Sequence, residues 1–494
     1  MGASDTKNML EVHVEDFGPI REGTARLGNL AVFVGPNGSG KSYVSTVLYA
    51  LIKAIHLTFL PPWSTDPWQR VDDATLAELA RILSGYYPAQ PSQEVRIPPD
   101  VASKIYSMCF AGPYSRTLER ELTKSFASPV ADLVRKNASL LKLDARLASA
   151  RLSTWAAVTG TTGLESFGIE HDLPLHIYGR EELPSQVAYS PPENSLHLTV
   201  SANTAGNVAH LARPIGNFIQ NWLQRRFPNT FYLPASRSGL LQNHRILAAG
   251  LFERAPFGQV DPQGAPVLPA VTSDLVNLLL TLTPDRRGPL DHLATNLQRE
   301  ILRGEVAVTN GEYRSTTIDY QEAGRSIPLS RVSTSVTEVT PLILLMRHYL
   351  EPAHVLIIEE PEAHLHPENQ RILTKYLVKL VRSGVRVIVT THSDYILEQL
   401  SSYIMLSQID PLDRSRKYGR AEDEYLRPDE VSAHLFCFDQ ASEGYRIRDI
   451  EVTAEDGISQ EEFVRVNEAL YDESIKLRRA IAEAAEEPAP EPEG

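Results

Sequence analysis

Cysteine is almost missing from this chain. Two residues in 494, Cys109 and Cys437, cannot build a disulfide framework, a zinc ribbon or a CxxC hook. Long apolar runs are missing too. Nothing approaches the ~18 uninterrupted apolar residues that a membrane span needs, and the first residues lack the basic-then-apolar order of a secretory signal. The expected compartment is the cytoplasm, with no membrane partner. Positive charge is in deficit, with 48 Lys and Arg against 62 Asp and Glu for a formal net charge of −14. That balance argues against loose, charge-driven binding to nucleic acid or anionic lipid. Local basic pairs such as Arg225-Arg226 and Arg286-Arg287 leave DNA open as a partner. No sustained heptad runs through the chain, which excludes a long coiled-coil arm. No internal repeat is visible.

What is present is a chain of 42% hydrophobic and 22% charged residues, the balance of a folded globular protein. Residues 10–15 alternate apolar and polar, as in a half-buried strand. Residues 30–34, Leu-Ala-Val-Phe-Val, form the continuous apolar run of a strand buried on both faces. A glycine-rich turn follows, and then a helical stretch over 41–56. The turn, Gly35-Pro36-Asn37-Gly38-Ser39-Gly40-Lys41-Ser42, matches in full the phosphate-loop pattern of GxxxxGK followed by Ser or Thr. Each residue type has its reason. Glycines let backbone N–H groups turn inward and approach phosphate oxygens. The helix beginning at Lys41 aims the positive end of its dipole at the same anion. Lys41 reaches the β- and γ-phosphates, and the Ser42 hydroxyl ligates Mg²⁺. The expected ligands are ATP and Mg²⁺.

A second half of the site lies far downstream. His354-Val355-Leu356-Ile357-Ile358-Glu359-Glu360-Pro361 is an apolar strand ending in two acids. Glu359 is the candidate metal acid, and Glu360 the general base that orients and polarises a water. A helix over 366–382 and a second apolar strand over 385–389 follow, then Thr390-Thr391-His392-Ser393. A histidine at the C-terminal end of a sheet strand lies where open α/β sheets bind ligands, so His392 is expected to contact the γ-phosphate and sense its loss. Upstream, Ser333-Thr334-Ser335-Val336-Thr337-Glu338 precedes a helix over 337–350. These hydroxyls either cap that helix or donate to a phosphate presented by another subunit.

These four pieces, in this order, resemble the ABC-type ATPase superfamily, in its non-transporter branch. That branch includes the chromosome-maintenance and recombination-repair ATPases, the overcoming-lysogenization-defect nucleases and stand-alone anti-phage ATPases. VEDFGPIREGTARLGNLAVFVGPNGSGKS looks like its first strand pair and phosphate loop, IIEEPEAHLHPENQ like its Walker B and D-loop, and THSDYIL like its switch-histidine segment. FYLPASRSGL has the look of the stand-alone members, and Arg237 within it is a candidate to assist the phosphates. The resemblance covers about 1–58 and 318–410. It implies that ATP is sandwiched between two heads, with Thr334 and Ser335 standing at the signature position opposite the partner's phosphate loop. Two departures matter. Walker B carries Glu359-Glu360 where transporter heads carry Asp-Glu, and the signature is degenerate, which implies turnover below ~1 per second against an enzyme median of ~10. No glutamine can be assigned to the Q-loop.

The expected fold class is α/β, a P-loop NTPase with an ABC-type head whose mixed sheet is flanked by helices, plus a large and mostly helical insertion. The expected divisions are 1–58 and 318–410 for the two parts of the head, 59–317 for the inserted lobe, 411–484 for a C-terminal extension and 485–494 for an acidic, disordered tail. The acids after His392 (Asp410, Asp413, Asp423 and Glu424) read as solvated, so the metal cluster of the nuclease members is not expected. The functional expectation is a homodimer or higher homo-oligomer of heads, acting as a conformational switch in anti-phage defence or DNA transactions with a separate effector protein. The alternative is a repair or nuclease-complex ATPase that binds DNA directly.

Overall fold

The computed structural model describes residues 10–57, 73–86, 93–147, 152–159, 163–171, 174–180, 186–190, 195–201, 229–254, 268–310, 316–460 and 473–478, with positions 88, 215, 221 and 224 between them. One sheet of eleven strands dominates. In chain order these are β1 (Leu10–Phe17), β2 (Ile20–Leu27), β3 (Leu30–Val34), β4 (Leu140–Leu147), β5 (Leu152–Thr159), β6 (Gly163–His171), β7 (Thr230–Leu233), β8 (Val355–Glu359), β9 (Arg386–Thr391), β10 (Val431–Asp439) and β11 (Gly444–Ile450). Across the sheet the order is β7-β8-β9-β3-β10-β11-β2-β1-β4-β5-β6. From β7 to β10 every neighbour is parallel. Beyond β10 the pairs are antiparallel, except β11 with β2.

The parallel half explains the apolar runs. Alternate side chains of a strand leave on opposite faces, and a parallel sheet covered on both faces needs both sets apolar. Leu30, Val32 and Val34 of β3 join one core while Ala31 and Phe33 join the other. Strand β8 divides likewise, with Leu356 and Ile358 on one side and Val355 and Ile357 on the other. Each fully buried Val, Leu or Ile contributes roughly 1.5–3 kcal/mol.

Five helices matter to the site: α1 (Lys41–Leu57), α2 (Arg237–Arg254), α3 (Thr334–His348), α4 (Pro367–Arg382) and α5 (Asp394–Met405). Val44, Val47, Leu48 and Leu51 of α1 pack into the first core. Helices α3, α4 and α5 pack into the second through residues such as Val339, Ile343, Leu377 and Leu400. Thus α1 covers one face of the sheet and α3, α4 and α5 cover the other, giving the three layers of an α/β P-loop fold. Local chemistry starts two of these helices. His366 Nδ1 accepts from the Glu368 N–H at 3.3 Å ahead of Pro367, and Ser393 Oγ accepts from the Ile396 N–H at 3.3 Å.

Among the described residues, the segment 59–317 is mixed rather than mostly helical. Its described residues include helices Asp73–Ser84, Pro99–Tyr106 and Gly112–Phe126, but also β4, β5 and β6, which extend the main sheet beside β1. A separate four-stranded sheet is made of Glu94–Ile97, Leu175–Arg180, Gln186–Ser190 and Ser195–Ser201. Most of the expected C-terminal extension beyond residue 460, and all of the expected tail, lie outside the described residues. Among the described residues no helix is long and apolar enough to cross a membrane.

Candidate functional site

The phosphate loop joins the C-terminal end of β3 to α1. Three of its glycines hold positive φ: Gly35 at 149°, Gly38 at 75° and Gly40 at 102°. Two are also needed for space. A Cβ on Gly35 would stand 2.4 Å from the Phe436 carbonyl oxygen, and one on Gly40 would stand 2.6 Å from Ile20 Cγ1. The loop is thereby wedged between β10 and the turn joining β1 to β2. Pro36, Asn37, Gly38 and Ser42 are exposed, whereas Ser39 and Gly40 are buried. Lys41 is only 6% exposed, and its ammonium donates to the Gly35 and Pro36 carbonyls at 2.7 and 2.9 Å. Burial pulls the Lys41 pKa down to about 8, against the opposing pull of Glu360, Glu362 and Glu359.

Sheet order brings the distant segments together. Strand β9 lies directly beside β3, with Thr391 opposite Val34, and β8 lies beside β9, with Glu359 opposite Thr390. All three strands run the same way, so Glu359, His392 and the phosphate loop emerge at one edge. The Glu359 carboxylate is buried and held by neutral donors. The Tyr232 hydroxyl donates to Oε1 at 2.8 Å and the Ala235 N–H to Oε2 at 2.9 Å. Tyr232 also meets Thr46 Oγ1 of α1 at 3.4 Å, which ties this carboxylate to the helix after the loop.

Glu360 adopts φ +42°, a left-handed conformation that costs a non-glycine residue free energy and persists only where the surroundings impose it. Its N–H donates to the Thr390 carbonyl at 2.9 Å, and its own carbonyl accepts from Arg237 Nη2 at 3.0 Å. The turn points its carboxylate at the switch strand, where Glu360 Oε1 stands 3.4 Å from His392 Nε2. That neighbour, chiefly, together with Lys41 and Arg237, holds the Glu360 pKa below the usual carboxylate range despite partial burial.

Glu362, in the D-loop position, anchors the histidine segment. Its Oε1 accepts from Thr391 Oγ1 at 2.7 Å and from the His392 N–H at 2.8 Å. The Ser393 hydroxyl donates to Gln370 Oε1 at 2.6 Å, locking the same turn to α4.

Thr334 and Ser335 begin α3. Ser333 has extended N-cap geometry, but its side chain makes no capping hydrogen bond, so of the two readings left open the capping one is not realised there. Thr334 is exposed, and the Ser335 hydroxyl donates to the His364 carbonyl at 3.2 Å. Helix α3 lies on the sheet face opposite α1, so these residues do not join the phosphate loop, Glu359, Glu360 and His392.

Arg237 does not assist phosphates from this position. It is 1% exposed, and its guanidinium is spent on the Glu359 and Glu360 carbonyls and on Glu338. The roles of Tyr232 and Glu362 are not legible in the sequence: Tyr232 falls in FYLPASRSGL and Glu362 in IIEEPEAHLHP, yet neither pattern says which carboxylate or turn each holds.

The residues present fit Mg²⁺ and a triphosphate. Ser42 and Glu359 offer hard oxygen donors, and among the described residues no group of three or more His, Cys, Asp or Glu could hold a metal alone. A sparse set suits Mg²⁺, which keeps waters and substrate phosphates as its other ligands. Ser39 Oγ is shielded from solvent without a hydrogen-bond partner, a polar atom suited to an oxygen-rich ligand.

Residues 285–397 match the AAA ATPase domain family. With the complete phosphate loop, that match makes this chain an ATPase of P-loop fold. Comparison with curated proteins gives no match. Solved structures similar to this chain include the SMC head domain from Thermotoga maritima, at 12% identity and a TM-score of 0.36, covering 90% of this chain and 100% of that one. The Smc head domain with an extended coiled coil bound to the C-terminal domain of ScpA, from Pyrococcus furiosus, is 10% identical with a TM-score of 0.39, covering 94% and 99%. The SmcHead bound to the C-winged helix domain of ScpA is also 10% identical, at a TM-score of 0.41, covering 90% and 98%.

Proposed function

We propose that this ATPase is one half of an ATP-sandwiched pair of heads and works as a conformational switch. The observation that carries the reading is the division of the site. Lys41, Ser42, Glu359, Glu360 and His392 converge at one sheet edge, while Thr334 and Ser335 stand on the opposite layer with Thr334 open to solvent. Hydroxyls at the exposed start of a helix suit an anion brought by another molecule, and a second copy supplies one.

In this reading Gly35, Pro36, Asn37, Gly38, Ser39 and Gly40 wrap the phosphates with backbone N–H groups, and Lys41 neutralises them. Ser42 and Glu359 hold Mg²⁺, which offsets phosphate charge when bound. Glu360, ionised through its neighbours, accepts a proton from the attacking water. His392 lies beside that base and contacts the terminal phosphate. Thr334 and Ser335 of the second head complete the enclosure, which excludes water and raises the strength of each polar contact. Turnover is slow because the signature is degenerate. The resemblance to stand-alone anti-phage ATPases supports a cytoplasmic role in anti-phage defence or DNA transactions, with the switch read by a separate effector protein.

Sedimentation equilibrium of Glu360→Gln with ATP and Mg²⁺ tests the pairing. A dimer or larger assembly that reverts on ATP removal is expected. A monomer saturated with ATP at all concentrations sinks the proposal.

A further inference from the structure

Arg237 carries a buried charge that the hydrolytic scheme above does not use. It is the first residue of α2, at the positive end of the helix dipole, where a cation is disfavoured. Burial there adds a desolvation cost, which pulls the Arg237 pKa down and pushes that of Glu338 up. Replacing such a pair with apolar side chains is often neutral or stabilising, so fold stability alone is a weak reason for it.

Its bonds point elsewhere. Nη1 donates to the Glu359 carbonyl at 2.6 Å, and Nη2 donates to the Glu360 carbonyl at 3.0 Å. On the other side Nε donates to the Glu338 carbonyl at 3.1 Å, and Nη2 pairs with Glu338 Oε2 at 3.1 Å. Next along the chain, Ser238 Oγ meets Thr337 Oγ1 at 2.6 Å. One planar fork thus grips the two carbonyls of the Walker B turn and the first turns of α3 together. The Walker B side of the grip is the strained one, since Glu360 sits at φ +42°. The same guanidinium therefore bonds both the turn and α3, so a shift of the turn bears on α3 through one planar group.

We propose that Arg237 is a positioning residue that couples the Glu359-Glu360 turn of a head's own ATP site to the Thr334-Ser335 segment the same head offers to its partner. This rests on the paired-head reading above. Within a head, α3 is rigidly linked to the catalytic base. Across a pair, each site then reports its state to the other, because the segment that closes one site is held by the turn of the second.

Arg237→Lys tests this in the full chain, since lysine keeps the charge and loses the fork. Glu338→Gln is the second variant, because it keeps the helix and weakens only the ion pair. Three quantities are read for each: ATP affinity of the dilute protein, kcat at high protein concentration, and ATP-driven association with Glu360→Gln added. Expected are ATP affinity within about 3-fold of wild type, kcat down about 10- to 100-fold, and association shifted to about 10-fold higher protein concentration, as a small misplacement of a reacting group produces. Unchanged kcat and association in either variant, in a protein whose wild type does pair, would overturn the coupling. So would a loss of ATP affinity that parallels a loss of folding in both, which marks a purely structural role. If wild-type heads never pair, it is the paired-head reading that has failed.

Discussion

Glu360 Oε1 lies 3.4 Å from His392 Nε2, across adjacent parallel strands. The contact joins the candidate base to the candidate sensor, and it keeps the base ionised. With its pKa held below the usual value, chiefly by His392, Glu360 stays deprotonated into more acidic solution than an ordinary glutamate. His392→Ala removes the first cause and leaves the burial that raises the pKa. The acid limb of the kcat–pH profile therefore moves to higher pH; separately, loss of the proposed phosphate contact lowers kcat at neutral pH about 10²-fold. A pH profile of the variant that superimposes on wild type after scaling would show that the contact does not set the charge of the base.

Lys41 gives a second pH dependence, of opposite sense. Its pKa falls to about 8 in the folded chain, so the free protein loses this cation as pH rises through 8, and kcat/KM for ATP declines above that point. The sign for stability follows. Between about 8 and the ordinary lysine value the unfolded chain binds more protons than the folded one, so the contribution of this group to stability rises with pH across that window. Lys41→Met then melts higher than wild type near pH 7 without nucleotide, and the difference shrinks toward pH 10. The same variant shows no ATP-induced rise in Tm. Equal melting of both proteins at pH 7 and pH 10 would contradict the buried-cation account.

Tyr232 acts through Glu359. Its hydroxyl is one of two neutral donors that fix the carboxylate, at 2.8 Å. Tyr232→Phe leaves the ring in place and frees one oxygen to turn. Groups that orient a metal ligand typically cost 10- to 100-fold in metal affinity when removed. A Mg²⁺ titration of ATPase activity should show the half-saturating concentration raised about 10-fold, with the maximal rate less affected. An unchanged titration would remove Glu359 from the metal role or Tyr232 from its support.

The sequence carried the centre of this molecule well and its periphery poorly, for physical reasons. Strand β3, the phosphate loop and α1 are legible because a continuous apolar run, glycines needed at positive φ and a helix start are all local signals. Strands β8 and β9 are legible for the same reason, being buried on both faces. Helix α3 begins at Thr334, three residues before the 337 expected, because Thr334 and Ser335 read equally as loop. Strand β4, Leu-Leu-Lys-Leu-Asp-Ala-Arg-Leu, mixes charge into its pattern, and its place beside β1 is fixed by a partner about 130 residues away that no local period reveals. Arg237 shows the limit most clearly. A surface arginine near phosphates and a buried arginine on carbonyls have the same letters around them. Only the convergence of α2, α3 and β8 decides between the two.

The central claim is that two heads share each ATP, so the direct test is ATPase rate per head against protein concentration, with the native mass of Glu360→Gln measured in ATP. The account predicts a rate per head that climbs steeply before it saturates, and an inactive Glu360→Gln trapped with ATP as a dimer or larger assembly. A constant rate down to dilute monomer, or full activity in Glu360→Gln, would contradict it and leave only the phosphate loop standing.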